Sequence, residues 1–185
     1  GRRVRTVDHR LAPLLGLASP RIAPSPHRFP AALDDVVHAS SDLVGSGGAI
    51  AIGGASAGAA VAASAALRLD AAGARPRAMV LAYGALHAAL PPRTPSGGLG
   101  LLGIVTPQWA ARWMYARFAS NYVGASLADA EHAFVRGANL ARLPATLVLD
   151  ADRDPLRASG DAFARELSAA GTIAASPGLR SQWRR

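Results

Sequence analysis

Ser56 stands at the centre of Gly54-Ala55-Ser56-Ala57-Gly58, a G-x-S-x-G pattern. A serine flanked in this way can act as a nucleophile if a strained strand-to-helix turn lifts its oxygen clear of the surrounding backbone. Flanking glycines then let the neighbouring chain pass closely. The N-terminus of the following helix would favour negative charge there. The N–H of Ala57, the residue after the serine, is the expected oxyanion donor. In a chain rich in alanine and glycine the same pattern also arises by chance, and a serine at a helix start is often only a cap. A dinucleotide-binding fingerprint fits less well, because no G-x-G-x-x-G is aligned on this turn.

That chemistry needs a strand before the serine and a helix after it. Ala49-Ile50-Ala51-Ile52 is a short apolar run bounded by glycines, suited to a strand buried on both faces. Ser56 to Leu69 reads as an alanine-rich helix closed near Gly73. Further strands are expected at Arg3-Val4-Arg5-Thr6-Val7, from Ala78 to Tyr83 and from Ala145 to Asp150. Helices are expected from Ala31 to Leu43, with Leu33, Val36 and Val37 on one face, and from Ser159 to Ala170, stopped by Gly171. Trp109, Trp113, Tyr115 and Phe118 fall on an amphipathic helix, where they form ordinary core or line an acyl pocket. Prolines from Leu14 to Pro30, and glycines and prolines from Pro91 to Gly103, mark loops. Strands alternating with helices predict an α/β fold: a mostly parallel sheet with helices on both faces.

Composition narrows the function classes. Half of the 185 residues are hydrophobic and 17% are charged, the balance of a folded globule and of one domain spanning 1–185. With no cysteine there is no disulfide, thiolate nucleophile or zinc–thiolate site, and the redox compartment stays open. The net charge of +8 comes from arginines scattered along the chain, with few aromatics among them, so no nucleic-acid partner is expected. No charged residue occurs between Leu43 and Leu67, but the stretch is mostly Gly, Ala and Ser, and no membrane span is expected. No signal peptide is legible at the N-terminus as it stands, and a cytoplasmic location is the expectation.

Three segments occur in a telling order: Val7-Asp8-His9-Arg10-Leu11-Ala12-Pro13, then Phe29-Pro30-Ala31-Ala32-Leu33-Asp34-Asp35, then Gly53-Gly54-Ala55-Ser56-Ala57-Gly58. A fourth, Asp154-Pro155-Leu156-Arg157, follows a predicted strand. Together they resemble the hormone-sensitive-lipase-like carboxylesterases of the α/β-hydrolase fold. The likeness is weakest from about Leu86 to Ala138. It implies that Ser56 attacks a small or medium ester, forming an acyl-enzyme without metal or organic cofactor. It also implies that Asp154 orients a histidine base. Without the resemblance, Asp150, Asp152 and Asp154 could each be an ordinary loop or capping carboxylate.

The sequence departs from this family in several places. The fold's chain order is serine, acid, histidine, yet His9, His27, His38, His87 and His132 all precede Asp154. His9 stands where the family has tyrosine and reads as structural; His38 falls on a helix; His87 and His132 read as surface residues. The His-Gly-Gly-Gly loop that completes the family's oxyanion hole has no counterpart here. Ala55 replaces an aspartate, and Gly58-Ala59 replaces a glycine pair. The expectation is therefore an incomplete hydrolase domain, impaired or inactive as it stands, lacking the N-terminal strands with the oxyanion loop and the C-terminal histidine segment. The alternative is an inactive remnant or binding protein.

Overall fold

Four short strands associate into one parallel sheet in the computed structural model, which describes residues 4–12, 27–45, 48–92, 108–124, 133–151 and 154–176. The strands β1 (Ala51–Ala55), β2 (Ala78–Ala82), β3 (Ala145–Leu149) and β4 (Ala174–Ala175) lie in the order β1-β2-β3-β4. Parallel neighbours need crossovers, and helices supply them. Helix α1 (Ala31–Gly45) precedes β1, and α2 (Ala57–Ala71) joins β1 to β2. Helix α3 (Gln108–Val123) and a 3-10 helix (Gly137–Arg142) lie between β2 and β3, and α4 (Arg157–Ala169) joins β3 to β4.

The register aligns Ile52 with Met79 and Thr146, and Gly54 with Leu81 and Val148. Ile52, Met79 and Leu81 form one buried cluster with Leu69 of α2 and with Phe163 and Leu167 of α4. Each fully buried Leu or Phe of this kind stabilises the fold by about 1.5–3 kcal/mol. Helix α2 is narrow because its inward residues are mostly alanine, with Ala59, Ala62, Ala63, Ala65 and Ala66 all buried. It therefore packs closely against both β1 and α1. Gly73 and Gly171, at φ 76° and 79°, end α2 and α4 where each was expected to stop.

Several expectations are corrected. Residues 4–7 form no strand, and Val4 is exposed. They line one side of an open cavity of about 1200 Å³ along the free edge of β1, opposite Ala49, Ala51 and Gly53. β1 starts at Ala51 rather than Ala49, and it is not buried on both faces, since Ala51, Gly53 and Ala55 are exposed. Val80, facing the same way in β2, is exposed as well. Among the described residues the apolar cluster therefore covers one sheet face. The two-residue β4 has no apolar run long enough to announce it. Of the four aromatics expected on α3, only Tyr115 is buried; Trp109, Trp113 and Phe118 are exposed, so this helix does not bring both tryptophans into a core. Most of the expected loops, at 13–26 and 93–103, lie outside the described residues.

Two of the sequence motifs clasp each other. The guanidinium Nε and NH2 of Arg10 donate to both carboxylate oxygens of Asp35, at 2.8–3.1 Å, and the Arg10 backbone N–H adds a bond of 2.9 Å. Hydrogen bonds from Arg10 hold the Asp35 carboxyl down to about 2. The segment carrying Arg10 is thereby fixed to α1. His9 is half-buried beside it, with Nδ1 3.3 Å from the Arg10 carbonyl oxygen.

Candidate active site

Ser56 occupies the one-residue turn between β1 and α2 with φ 55° and ψ −123°, a backbone conformation that side chains other than glycine rarely adopt. Its side chain makes no capping hydrogen bond to the helix, so the hydroxyl is not held as an N-cap. The residue is exposed. Its backbone is pinned on both sides. The N–H donates to the Ala82 carbonyl at 2.9 Å, and the carbonyl accepts from Ala59 and Ala85 N–H, each at 3.1 Å. The turn is thus an anchored, strained position rather than a loose loop.

Gly54 explains how the chain can turn so sharply. A Cβ on Gly54 would lie 2.1 Å from the Gly58 carbonyl oxygen and 2.8 Å from the Ala59 nitrogen, so only glycine fits. Gly58 differs, because a Cβ there meets nothing within 4 Å. The motif's first glycine is sterically required in this chain and its second is not. Ala57 opens α2 and is exposed. An N–H in the first turn has no intrahelical acceptor, and the helix dipole adds positive potential there.

The carboxyl ends of the three longer strands are stitched together. Ser56 N–H donates to Ala82 at the end of β2, and Tyr83 N–H donates to Leu149 at the end of β3, at 2.7 Å. Tyr83 also has a positive φ of 37°, unusual for so large a side chain, and is exposed. Asp154 lies just past β3, so it shares with Ser56 the sheet edge where open α/β folds place their sites. Asp154 Oδ1 accepts the Leu156 N–H at 2.7 Å, and its carbonyl accepts the Arg157 N–H at 3.2 Å. These bonds shape the turn that starts α4. Asp152 lies outside the described residues.

Asp150, the third carboxylate, is buried, and among the described residues neither of its oxygens has a hydrogen-bond partner. Burial, with Asp161 and Asp154 nearby, pushes its carboxyl up to about 6. A buried carboxylate normally demands partners, and nothing in the residue spacing signalled this one as an orphan.

The histidines are the sharpest departure from expectation. His38 is exposed on α1, and His132 lies outside the described residues. His87 is not a surface residue: it is 2% exposed, with Nδ1 2.7 Å from Ser159 Oγ and Nε2 3.2 Å from Glu166 Oε1. Its apolar flanks, Leu86 and Ala88-Ala89-Leu90, were the available sign of burial. Burial pushes the imidazole below its ordinary value, Glu166 opposes that, and Arg136 adds to it. Both ring nitrogens are engaged inside the protein. No group of three His, Cys, Asp or Glu that could hold a metal occurs among the described residues. No helix there is long and apolar enough to cross a membrane.

Comparison with known proteins places these features in context. The sequence profile of the alpha/beta hydrolase fold family matches residues 19–177. An esterase from the bacterial hormone-sensitive lipase family superposes with a TM-score of 0.68 at 24% identity, over 94% of this chain and 54% of that one. A hyperthermophilic esterase from the archaeon Pyrobaculum calidifontis gives 0.68 at 27% identity, over 94% and 55%. Carboxyl esterase 2 from the mycorrhizal fungus Tuber melanosporum gives 0.65 at 24%, over 83% and 52%. The chain spans about half the length of these solved esterases. No curated protein matches the sequence.

Proposed function

The chain belongs to the alpha/beta hydrolase fold family, and from that premise we propose that it is the core of a single-domain serine carboxylesterase, with Ser56 as nucleophile and Asp154 as the acid. The observation that carries this reading is the strained, uncapped serine between β1 and α2. Strain of this kind persists where the surroundings over-determine it, and such places are commonly functional. The three similar structures described above are esterases, which supports a carboxylic ester as substrate.

In the proposed reaction Ser56 Oγ adds to the ester carbonyl as its proton passes to a base. The Ala57 N–H supports the developing oxyanion. The alcohol departs with that proton, and water then releases the acid from the acyl-serine. Asp154 would hold and orient the base. The base is where this chain departs from the scheme: every histidine precedes Asp154, and His87 has both ring nitrogens engaged in a buried network. Removing a triad's histidine lowers turnover by on the order of a million-fold in a well-studied protease. We therefore propose that residues 1–185 alone hydrolyse esters at or near the background rate. The alternative reading, a binding protein built on a hydrolase core, draws on the same engagement of His87.

The test is hydrolysis of a short-chain p-nitrophenyl ester by the purified chain beside Ser56→Ala. Turnover above buffer that disappears in Ser56→Ala would establish the nucleophile and require a base within the chain. Equal background rates from a folded chain are the outcome expected of residues 1–185 alone, whether the parent is an esterase or a binding protein.

A further inference from the structure

We propose that His87 is a positioning residue, which through Ser159 and Glu166 locks the Ser56 turn to the turn carrying Asp154. The proposal rests on reading Ser56 and Asp154 as nucleophile and acid, and it adds a residue that this reading does not contain.

The hydrogen bonds run in one direction. Glu166 bonded as a carboxylate can only accept, so His87 Nε2 carries the proton and donates to it at 3.2 Å. Nδ1 must then be the acceptor, and the Ser159 hydroxyl donates to it at 2.7 Å. Ser159 Oγ in turn accepts the Leu86 N–H at 3.1 Å. Arg136 NH1 donates to both oxygens of Glu166, each at 3.2 Å, and the Tyr115 hydroxyl donates to the His87 carbonyl. Phe163 presents a perpendicular ring at 6.3 Å between centroids. His87 and Ser159 are 2% and 0% exposed, so this serine and histidine are closed to substrate.

The network's placement gives it consequence. The segment Tyr83–His87 leaves β2 beside the serine, and its Ala85 N–H holds the Ser56 carbonyl. The next residue, Leu86, binds Ser159 in the first turn of α4, and α4 begins at the turn where Asp154 accepts the Leu156 N–H. One continuous path thus runs from Ser56 through Ala85, Leu86, His87 and Ser159 to Leu156 and Asp154. The bond from the Ser159 hydroxyl to Nδ1, in this direction, needs a neutral ring. A proton on Nδ1 would turn that nitrogen into a donor, and Ser159 Oγ would then face two donors with its own proton displaced.

The experiment is amide hydrogen exchange, followed residue by residue by NMR at pH 7.5, on the full chain and on Ser159→Ala and His87→Phe. Protection at Ser56, Ala85 and Leu156 is expected to fall at least about tenfold in both variants, the loss of about 1.4 kcal/mol of local opening energy. Protection at Arg77, whose N–H bonds Ile50 at the opposite end of the sheet, is expected to stay within about twofold. If His87→Phe does not fold, Ser159→Ala decides alone. Unchanged protection at Ser56 and Leu156, or an equal fall at Arg77, overturns the proposal. Exchange reads geometry rather than turnover, so its failure leaves the esterase reading standing, and an inactive chain leaves this proposal standing.

Discussion

The carboxylate of Asp150 rests against the Cα of Gly160, so closely that a Cβ built on Gly160 would lie 1.7 Å from Oδ2 and 2.5 Å from Cγ. Gly160 lies inside α4, where alanine would ordinarily be favoured by about 1 kcal/mol. Here the clash reverses that preference. Gly160→Ala is expected to destabilise the protein by roughly 1–3 kcal/mol, the usual range for overpacking. Asp150→Ala combined with Gly160→Ala should recover most of the loss. Chemical unfolding of the two single variants and the double variant measures the coupling, and strict additivity would contradict the contact.

Asp150 itself predicts an unusual pH dependence. Its folded value, about 6, lies above the ordinary 3.8, so between those values the folded state holds a proton that the unfolded state has released. Stability therefore falls as pH rises through that window and stays lower above it. Two pH units correspond to at most about 3 kcal/mol. Asp150→Asn, which cannot ionise, should be more stabilising at pH 8 than at pH 4 by about 1–3 kcal/mol. Unfolding midpoints at the two pH values check this, and an equal effect at both would contradict it.

His87 acts in the opposite sense. Its folded value lies below the ordinary 6.5, so at mildly acidic pH the unfolded state binds a proton that the folded state refuses. Its contribution is fully present above pH 6.5 and is lost as pH falls from there toward the folded value. Because Asp150 gains stability over part of the same range, the wild-type profile combines the two. In an Asp150→Asn background the acid-side decline should steepen, and adding His87→Phe should flatten it. Denaturant midpoints between pH 5 and 7.5 measure both slopes.

How much of this was legible in the sequence follows from which interactions are local. Helix α2, β2, β3 and α4 are runs whose period and glycine stops agree with their burial, and they lie where the pattern placed them. The turn at Ser56 was legible because strand, glycine and helix adjoin in sequence. The segment at 4–7 was not: its alternation reads as a strand, but a strand forms only with a hydrogen-bonding neighbour, and these residues line a cavity beside β1 instead. Trp109 and Trp113 misled because aromatics at helical spacing usually face a core, whereas here Tyr115 faces inward and they do not. The contacts of His87 with Ser159 and Glu166 span 72 and 79 residues, and no local pattern encodes a pairing at that distance.

The two motif glycines should part company under substitution. Gly54→Ala forces a Cβ against the Gly58 carbonyl oxygen at 2.1 Å, backbone against backbone, with no flexible group to move aside. Gly58→Ala enters open space within the first turn of α2. Gly54→Ala is expected to lose at least about 3 kcal/mol, or to fail to fold. Gly58→Ala should be neutral or stabilising by up to about 1 kcal/mol. Thermal unfolding separates them, and comparable losses would show that the motif needs its glycines for another reason.

The backbone strain at Ser56 can be measured without any substrate. At φ 55° and ψ −123° the residue sits where glycine is comfortable and a Cβ is not. Its hydroxyl makes no capping bond that would offset the cost. Ser56→Gly should therefore stabilise the chain by roughly 1 kcal/mol, the lower end of the strain such positions store. Ser56→Ala keeps the Cβ and should leave stability nearly unchanged. A gain in the glycine variant alone, read by denaturant unfolding, would locate the strain in the backbone at the candidate nucleophile. A loss in both variants would mean that the hydroxyl stabilises the turn through a bond of its own.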